Sequence, residues 1–335
     1  MKAIWHNNER KHVSVQTSNS IALKNNAAWL GLSILDRAAA DIGAGMVNQA
    51  MDDVYRGLGI TRNRMSDKDW AEFGRYVREN HELRNWVYQD PFTRRAHEKP
   101  RGYAGDAVMM DYIYGIHSYH DGNAEASPLG REIQEYIRKS QASSSVRYRR
   151  EHIAQLIDRM AIRRPSPSVL AVAAGHLREA ELSSALASKR LGRFVALDAD
   201  AKSLRELETH YARLGVKTVH ASVRHLMARK IRLGTFDFVY AAGLYDYLSE
   251  TTAQALSARL FEMMSPGGQL LIPNFAPQVG DRGYMETFMD WTLIYRDKPA
   301  MVRLMDRIDP AQIRSYDVYH DPAGSVVYLL LTKHD

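Results

Sequence analysis

The chain has 335 residues, 45% hydrophobic and 25% charged, with 45 lysines and arginines against 39 acids, a net charge of +6. This composition excludes collagen-like, low-complexity and disordered classes. No run of eighteen apolar residues is present to span a membrane, and without cysteine there are no disulfides, thiolate metal sites or cysteine nucleophile. The length exceeds one ordinary core, so either an elaborated domain or a catalytic domain with an added module is expected.

The first twenty-five residues are polar and irregular and are expected to be loosely ordered or to pack late onto the surface. They contain no apolar signal-like run, which makes a cytoplasmic protein the expectation. Ser66 stands three residues ahead of Asp69 as a capping box, with Trp70, Phe73 and Val77 on one helical face. Ser127 followed by Pro128 opens a helical segment in which Ile133, Tyr136, Ile137, Ile153, Leu156, Ile157 and Met160 recur at helical spacing. Residues 1–164 are therefore predicted to form a mostly helical cap or substrate module. Its Arg147, Arg149 and Arg150, like Arg163 and Arg164, read as solvated faces.

The stretch RRPSPS, Arg163 to Ser168, ends the helical pattern. Beyond it, β-rich runs alternate with helix-length amphipathic segments, as in a parallel sheet with crossover helices. Strands are predicted at Val169 to Ala173, Arg193 to Leu197, Val216 to His220, Phe236 to Tyr240 and Gln269 to Ile272. Two more, Ile313 to Tyr319 and Ser325 to Leu331, flank the turn signal DPAG. A Rossmann-like seven-stranded α/β sheet closed by an antiparallel hairpin is the layout of class I S-adenosylmethionine (SAM) methyltransferases, and residues 165–335 are assigned to it.

Ligands of open parallel sheets lie beyond the carboxyl ends of the strands. Ala173 ends the first strand and Gly175 follows it, in a tight turn needing one residue at positive φ. Asp198, ending the second strand, can accept both hydroxyls of a ribose, with Ala199 beside it; Asp200 reads as a helix cap. Ser222 and Val223 after the third strand are positioned to border an adenine. After the fourth, Ala242, Gly243, Leu244, Tyr245, Asp246 and Tyr247 reach the crevice, where the tyrosines can wall the transfer site. Asn274 and Phe275 end the fifth strand and either face a substrate or form a capped loop with a core phenylalanine.

Two further segments offer site residues. In RGYAGD, Gly102 and Gly105 make a turn, Tyr103 supplies an aromatic wall, and Arg101 offers a bidentate donor to a carboxylate of cofactor or substrate. Asp106 would orient Arg101 or cap the next helix; a surface Arg101–Asp106 pair is the alternative. The predicted helix YMETFMDWTLIY carries Met285, Phe288, Met289, Thr292 and Tyr295 on one stripe. It is expected to act as a lid, with Trp291, Tyr295 and Arg296 shaping an acceptor pocket and Glu286 as a further polar candidate.

The segments KPRGYAGDAVMMDYIYG (Lys99 to Gly115), AAGLYDYL (Ala241 to Leu248), PGGQLLIPNF (Pro266 to Phe275) and RGYMETFMDWTLIYRD (Arg282 to Asp297) resemble bacterial SAM-dependent methyltransferases assigned to biosynthesis of 3-hydroxypalmitic acid methyl ester. The resemblance runs from about Trp70 to the C-terminus. The chain departs from it in the alanine-rich first loop and at Pro273, where glycine is expected. The resemblance implies a helical module over a class I domain, SAM as cofactor, and methyl transfer to a small acidic metabolite.

On this reading Tyr103, Tyr245 and Asn274 are the catalytic candidates, Tyr114 joins the substrate side, and neither metal nor nucleic acid is expected. A carboxylate acceptor is already ionised and needs no general base. His176 is then a lining or packing residue, whereas an alcohol or amine acceptor would need His176, Asp246 or Tyr245 as base. Two rivals are an RNA methyltransferase gripping its substrate through Arg147 to Arg150, and a non-methylating protein on the same fold. A homodimer is compatible with the sequence without being indicated by it.

Overall fold

The computed structural model describes residues 26–116 and 126–335. The polar segment 1–25, expected to be loosely ordered, lies outside them. The helical part contains α1 (Asn26–Gly43), α2 (Val47–Arg62), α3 (Asp67–Asn80), α4 (Arg84–Val87), α5 (Pro91–Glu98), α6 (Ala107–Tyr114), α7 (Pro128–Lys139) and α8 (Gln141–Arg163). Ser66 Oγ accepts the Asp69 N–H at 3.1 Å and donates to its carboxylate at 2.8 Å, so α3 starts where the capping signal predicts. Trp70, Phe73 and Val77 are buried on its inner face. Ser127 caps α7 with Pro128 in its first turn. The single helical segment expected after Ser127 is broken at Ser140, which ends α7 and caps α8 through the Ser143 N–H.

The helical pattern stops at Arg163 and the first strand begins at Ser168. Seven strands follow: β1 (Ser168–Val172), β2 (Arg193–Asp198), β3 (Val216–His220), β4 (Phe236–Tyr240), β5 (Met264–Phe275), β6 (Ile313–His320) and β7 (Val326–Lys333). They lie in the order β3-β2-β1-β4-β5-β7-β6, with the first five parallel and β7 antiparallel to both neighbours. This is the class I SAM-dependent methyltransferase sheet expected from the sequence, with a helical N-terminal part. Between and after the strands come α9 (Ser184–Ala187), α10 (Ala201–Tyr211), α11 (Val223–Met227), α12 (Glu250–Glu262), α13 (Arg282–Phe288) and α14 (Lys298–Arg303).

The central strands β1, β2 and β4 read as nearly unbroken apolar runs because both faces of the sheet are covered there, whereas the edge strands β3 and β6 are more polar and exposed. Successive side chains point to opposite faces. Val169, Ala171, Phe194, Ala196, Phe238 and Tyr240 join one core with the N-terminal helices, while Leu170, Val172, Val195, Leu197 and Val239 join another with α12 and α14. Pro273 lies two residues beyond Leu271, the last β5 residue paired to β4, and pairs with Tyr328 of β7. Its missing N–H therefore falls where the strand no longer has a partner on both sides.

The lid helix is shorter than the sequence suggests. α13 ends at Phe288, Asp290 takes a left-handed φ of 48°, and residues 291–297 have no helical assignment. Tyr284, Met285, Phe288 and Met289 are core residues. Glu286 is a buried anchor, paired to Arg62 at 3.0 Å and Arg282 at 2.8 Å, rather than a site residue.

Candidate active site

A cavity of about 720 Å³ opens at the carboxyl ends of β1, β2, β4 and β5, roofed by the 100–107 turn, α6, α8 and the Trp291–Leu293 strap. Its cofactor side begins with the loop after β1. Ala173, Gly175 and Leu177 have φ of 52°, 56° and 52°, so three alternate residues, not one, occupy the left-handed region. Two of them are not glycine, a costly arrangement that persists only when the surroundings hold it.

Asp198 is part of what holds it. One carboxylate oxygen accepts the Gly175 N–H at 2.8 Å and the other the Asp200 N–H at 2.8 Å. Burial pushes its pKa up, against those two N–H donors that favour the charged form. The Ala199 N–H is a third backbone donor to this carboxylate, and its remaining acceptor capacity is open to a ligand hydroxyl. Asp200 caps α10 through the Lys202 N–H at 2.9 Å, as expected.

Arg101 lines the cavity but does not pair with Asp106. Its Nη1 donates to Asp200 at 2.8 Å and to Ser203 at 2.9 Å. Asp106 instead caps α6 through the Met109 N–H and pairs with Arg95 at 2.6 Å. Arg101 thus spans from the helical part to the second βα unit through one terminal nitrogen, Nη1. Ala199, Ser222 and Val223 line the end of the cavity near Asp198, and Ala242 and Gly243 line its floor.

Several residues expected to shape an acceptor pocket lie in the opposite wall. Tyr103, Tyr114, Phe275 and Trp291 line it. Tyr103 is 40% exposed at the mouth and meets Tyr247 edge-on at 6.3 Å. Trp291 Nε1 donates to the Tyr247 hydroxyl at 2.9 Å.

Four expected site residues do not face the cavity. Tyr245 begins a 3-10 turn that sends its ring into the core below the sheet, where its hydroxyl meets Ser257 at 3.1 Å. Asn274 is 1% exposed; its Nδ2 donates to Phe275 O and Ile294 O, and its Oδ1 accepts Arg296 Nη1 at 2.7 Å. Arg296 also donates to the carbonyls of Tyr245 and Leu248, so the Asn274–Arg296 pair is a buried clamp joining β5, the β4 loop and the strap. Tyr295 is covered by the Arg282 guanidinium, 4.4 Å from its ring centre, and does not line the cavity.

Asp246, Tyr247 and His176, which the sequence also placed here, do line the cavity, and Glu179, which it did not, joins them. Asp246 and Tyr247 take the place given to Tyr245, and burial pushes Asp246 up to about 6, even though its carboxylate accepts the Phe275 N–H. Glu179 is buried in the wall, accepts the Tyr240 hydroxyl at 2.7 Å, and is likewise raised by burial. His176 bonds Asp111 at 2.8 Å, and Asp111 is chelated by Arg178 through two 2.8 Å bonds.

The arginine run is not a solvated face. Arg147 donates to the carbonyls of Ile113 and Arg138, Arg150 pairs with Glu181 and covers the Tyr114 ring, and Arg149 lines the cavity. One signal for Arg149 is in the sequence: it sits three residues after Val146 and four before Ile153, on the buried stripe of α8.

Residues 169–268 match the family described as "Methyltransferase domain". The match runs from β1 into β5, the part of the chain that is similar to methyltransferase domains. It is similar to a solved structure from Bordetella parapertussis described as a possible exported protein, at 14% identity and a TM-score of 0.54 over 96% of this chain and 100% of that one. At that identity the likeness concerns the fold. The N-methyltransferase NodS of Bradyrhizobium japonicum, solved with S-adenosyl-L-homocysteine (SAH), is 10% identical over 68% of this chain and 98% of its own, with a TM-score of 0.42. The 1,6-didemethyltoxoflavin-N1-methyltransferase of Burkholderia thailandensis, also with SAH, is 17% identical over 68% and 89%, with a TM-score of 0.40. The comparison with curated proteins gave no match. Among the described residues, no helix is long and apolar enough to cross a membrane, and no group of three or more His, Asp or Glu is placed to hold a metal ion.

Proposed function

We propose that this chain is a SAM-dependent methyltransferase that methylates a small acidic molecule on a carboxylate oxygen, with residues 1–164 as the cap over a catalytic domain at 165–335. SAM is the cofactor and supplies an electrophilic methyl group. The observation that carries the reading is Asp198: a buried carboxylate at the end of β2, facing the cavity, held by the Gly175 and Asp200 N–H groups with acceptor capacity to spare. Ala173, Gly175, Ala242 and Gly243 have little side chain, so a ligand can lie against the backbone there.

Transfer from a sulfonium needs alignment above all. The walls that would align an acceptor are Tyr103, Tyr247, Phe275, Trp291 and Leu293, aromatic or apolar surfaces that suit an acyl chain and exclude water. A carboxylate presented there is ionised and requires no base. The four segments similar to the methyl ester family support a hydroxy fatty acid as acceptor. Calorimetry with SAM and SAH tests the cofactor: parent protein should bind both and Asp198→Ala neither measurably. Parent protein silent toward both would overturn the reading. Incubation with SAM and 3-hydroxy fatty acids should give methyl esters by mass spectrometry.

A second reading rests on Asp246. A cavity carboxylate raised to about 6 is suited to take a proton from an alcohol or amine acceptor. The pH profile separates the two.

A further inference from the structure

Three arginines of the site region are buried, and two are fully engaged. Arg178 binds Asp111, Glu181 and Glu206, and Arg296 binds one side-chain and two backbone oxygens. Arg149 differs. It is 6% exposed, lines the cavity, and has no carboxylate within 4.0 Å among the described residues. Its contacts are the Met110 sulfur at 3.7 Å, a weak acceptor, and the Tyr114 hydroxyl.

The guanidinium sits over the backbone of Gly243, its two terminal nitrogens 3.8 and 3.9 Å from where a Cβ would lie. Both fork nitrogens thus reach the floor of the cavity at the end of β4. Glu179 and Asp246 share this wall and feel the Arg149 charge, but neither forms an ion pair with it: Glu179 accepts from Tyr240 and Asp246 from the Phe275 N–H. Burying a charged fork with no anion in direct contact is costly. The arrangement makes sense if a ligand brings the missing carboxylate. Arg101, the sequence candidate for that role, has Nη1 committed to Asp200 and Ser203, which leaves Arg149, among the described residues, as the cavity arginine with neither terminal nitrogen paired to a carboxylate.

We infer that Arg149 is the carboxylate receptor of this cavity, a binding residue that clamps a ligand carboxylate in bidentate fashion above Gly243. The inference rests on the reading that the cavity takes SAM and an acidic acceptor, and each of those brings one carboxylate: the methionine part of the cofactor, or the group to be methylated. The fork geometry serves either, and a lysine would serve neither equally.

The test compares parent, Arg149→Gln and Arg149→Lys in full-length protein with three probes: SAH, 5′-methylthioadenosine, which is the nucleoside without a carboxylate, and 3-hydroxyhexadecanoate as acceptor. Charged hydrogen bonds contribute about 1.5–3 kcal/mol, so roughly 10- to 150-fold is at stake. If the cofactor is the source, Arg149→Gln weakens SAH by that factor and leaves 5′-methylthioadenosine unchanged. If the acceptor is the source, SAH affinity is unchanged and the KM for the fatty acid rises by that factor. Either result supports the assignment, with Arg149→Lys falling between parent and Gln. Unchanged binding of all three probes would overturn it. So would equal loss of 5′-methylthioadenosine, since Arg149 would then be shaping the site rather than receiving an anion. A parent protein that binds no nucleoside removes the cofactor reading itself, and that outcome needs no variant to recognise.

Discussion

Trp291 and Tyr247, forty-four residues apart, are joined by a 2.9 Å hydrogen bond from indole N–H to phenol oxygen, and the two rings close over Gly105. A Cβ on Gly105 would stand 2.4 Å from Trp291 Cζ2 and 2.7 Å from the Tyr247 hydroxyl. Gly105→Ala must therefore push this wall into the cavity. Overpacking costs about 1–3 kcal/mol of stability, and with a cooperative melt retained the displaced wall should lower kcat/KM by up to roughly 100-fold. Turnover equal to parent would show that the Trp291–Tyr247 pair does not bound the acceptor.

The Asn274–Arg296 clamp predicts a stability effect with little effect on binding. Asn274→Ala leaves a buried guanidinium short of one acceptor, which should cost about 1–3 kcal/mol in urea denaturation while SAH affinity stays as in the parent. Tyr245→Phe should keep full turnover, because its hydroxyl meets only Ser257 below the sheet. A large loss of kcat in Tyr245→Phe would restore that residue to the site.

The pH profile distinguishes the acceptors. With a carboxylate acceptor, kcat should be flat from about pH 6 to 8 and Asp246→Asn should cost less than about tenfold. If Asp246 is a base, the rate must climb with pH through about 6, where burial has moved its pKa, because only the ionised form takes a proton. Asp246→Asn would then abolish the climb and lower kcat by roughly 10²- to 10⁴-fold.

Asp111 links pH to stability. Burial alone would raise its pKa, but hydrogen bonds from Arg178 and His176 outweigh it and hold it low. A carboxyl lowered by folding stabilises the fold above its unfolded value, about 3.9, and that contribution is lost as pH falls through the folded value. Asp111→Ala should cost about 3 kcal/mol at pH 7, since Arg178 keeps Glu181 and Glu206. The difference from parent should shrink below about pH 4. A constant difference would mean that the loss is packing alone.

The sheet was legible because its strands alternate onto two apolar cores between Gly, Pro and Asp breaks, and β3 and β4 fall on the predicted residues. Asp198 was legible for the same reason: a charge ending an apolar strand has few places to go. Tyr245 was not, because the 3-10 turn at Tyr245–Tyr247 decides which tyrosine faces the cavity, and no periodicity encodes that rotation. Helical spacing carried the lid prediction through Tyr295, but Asp290 adopts positive φ and the strap runs on without helix, pinned by Asn274 and Arg296. Charge misled at Arg149, where position on the α8 stripe was the better guide.

The trio of left-handed residues at Ala173, Gly175 and Leu177 bears on how quickly a guest is received. Their conformation is held by the folded chain before anything docks, with the Gly175 N–H fixed by Asp198 and the Leu177 N–H by the Ala174 carbonyl. A nucleoside arriving at that crest meets a rigid berth, so the encounter should follow one exponential phase whose rate rises in proportion to concentration, without a later isomerisation.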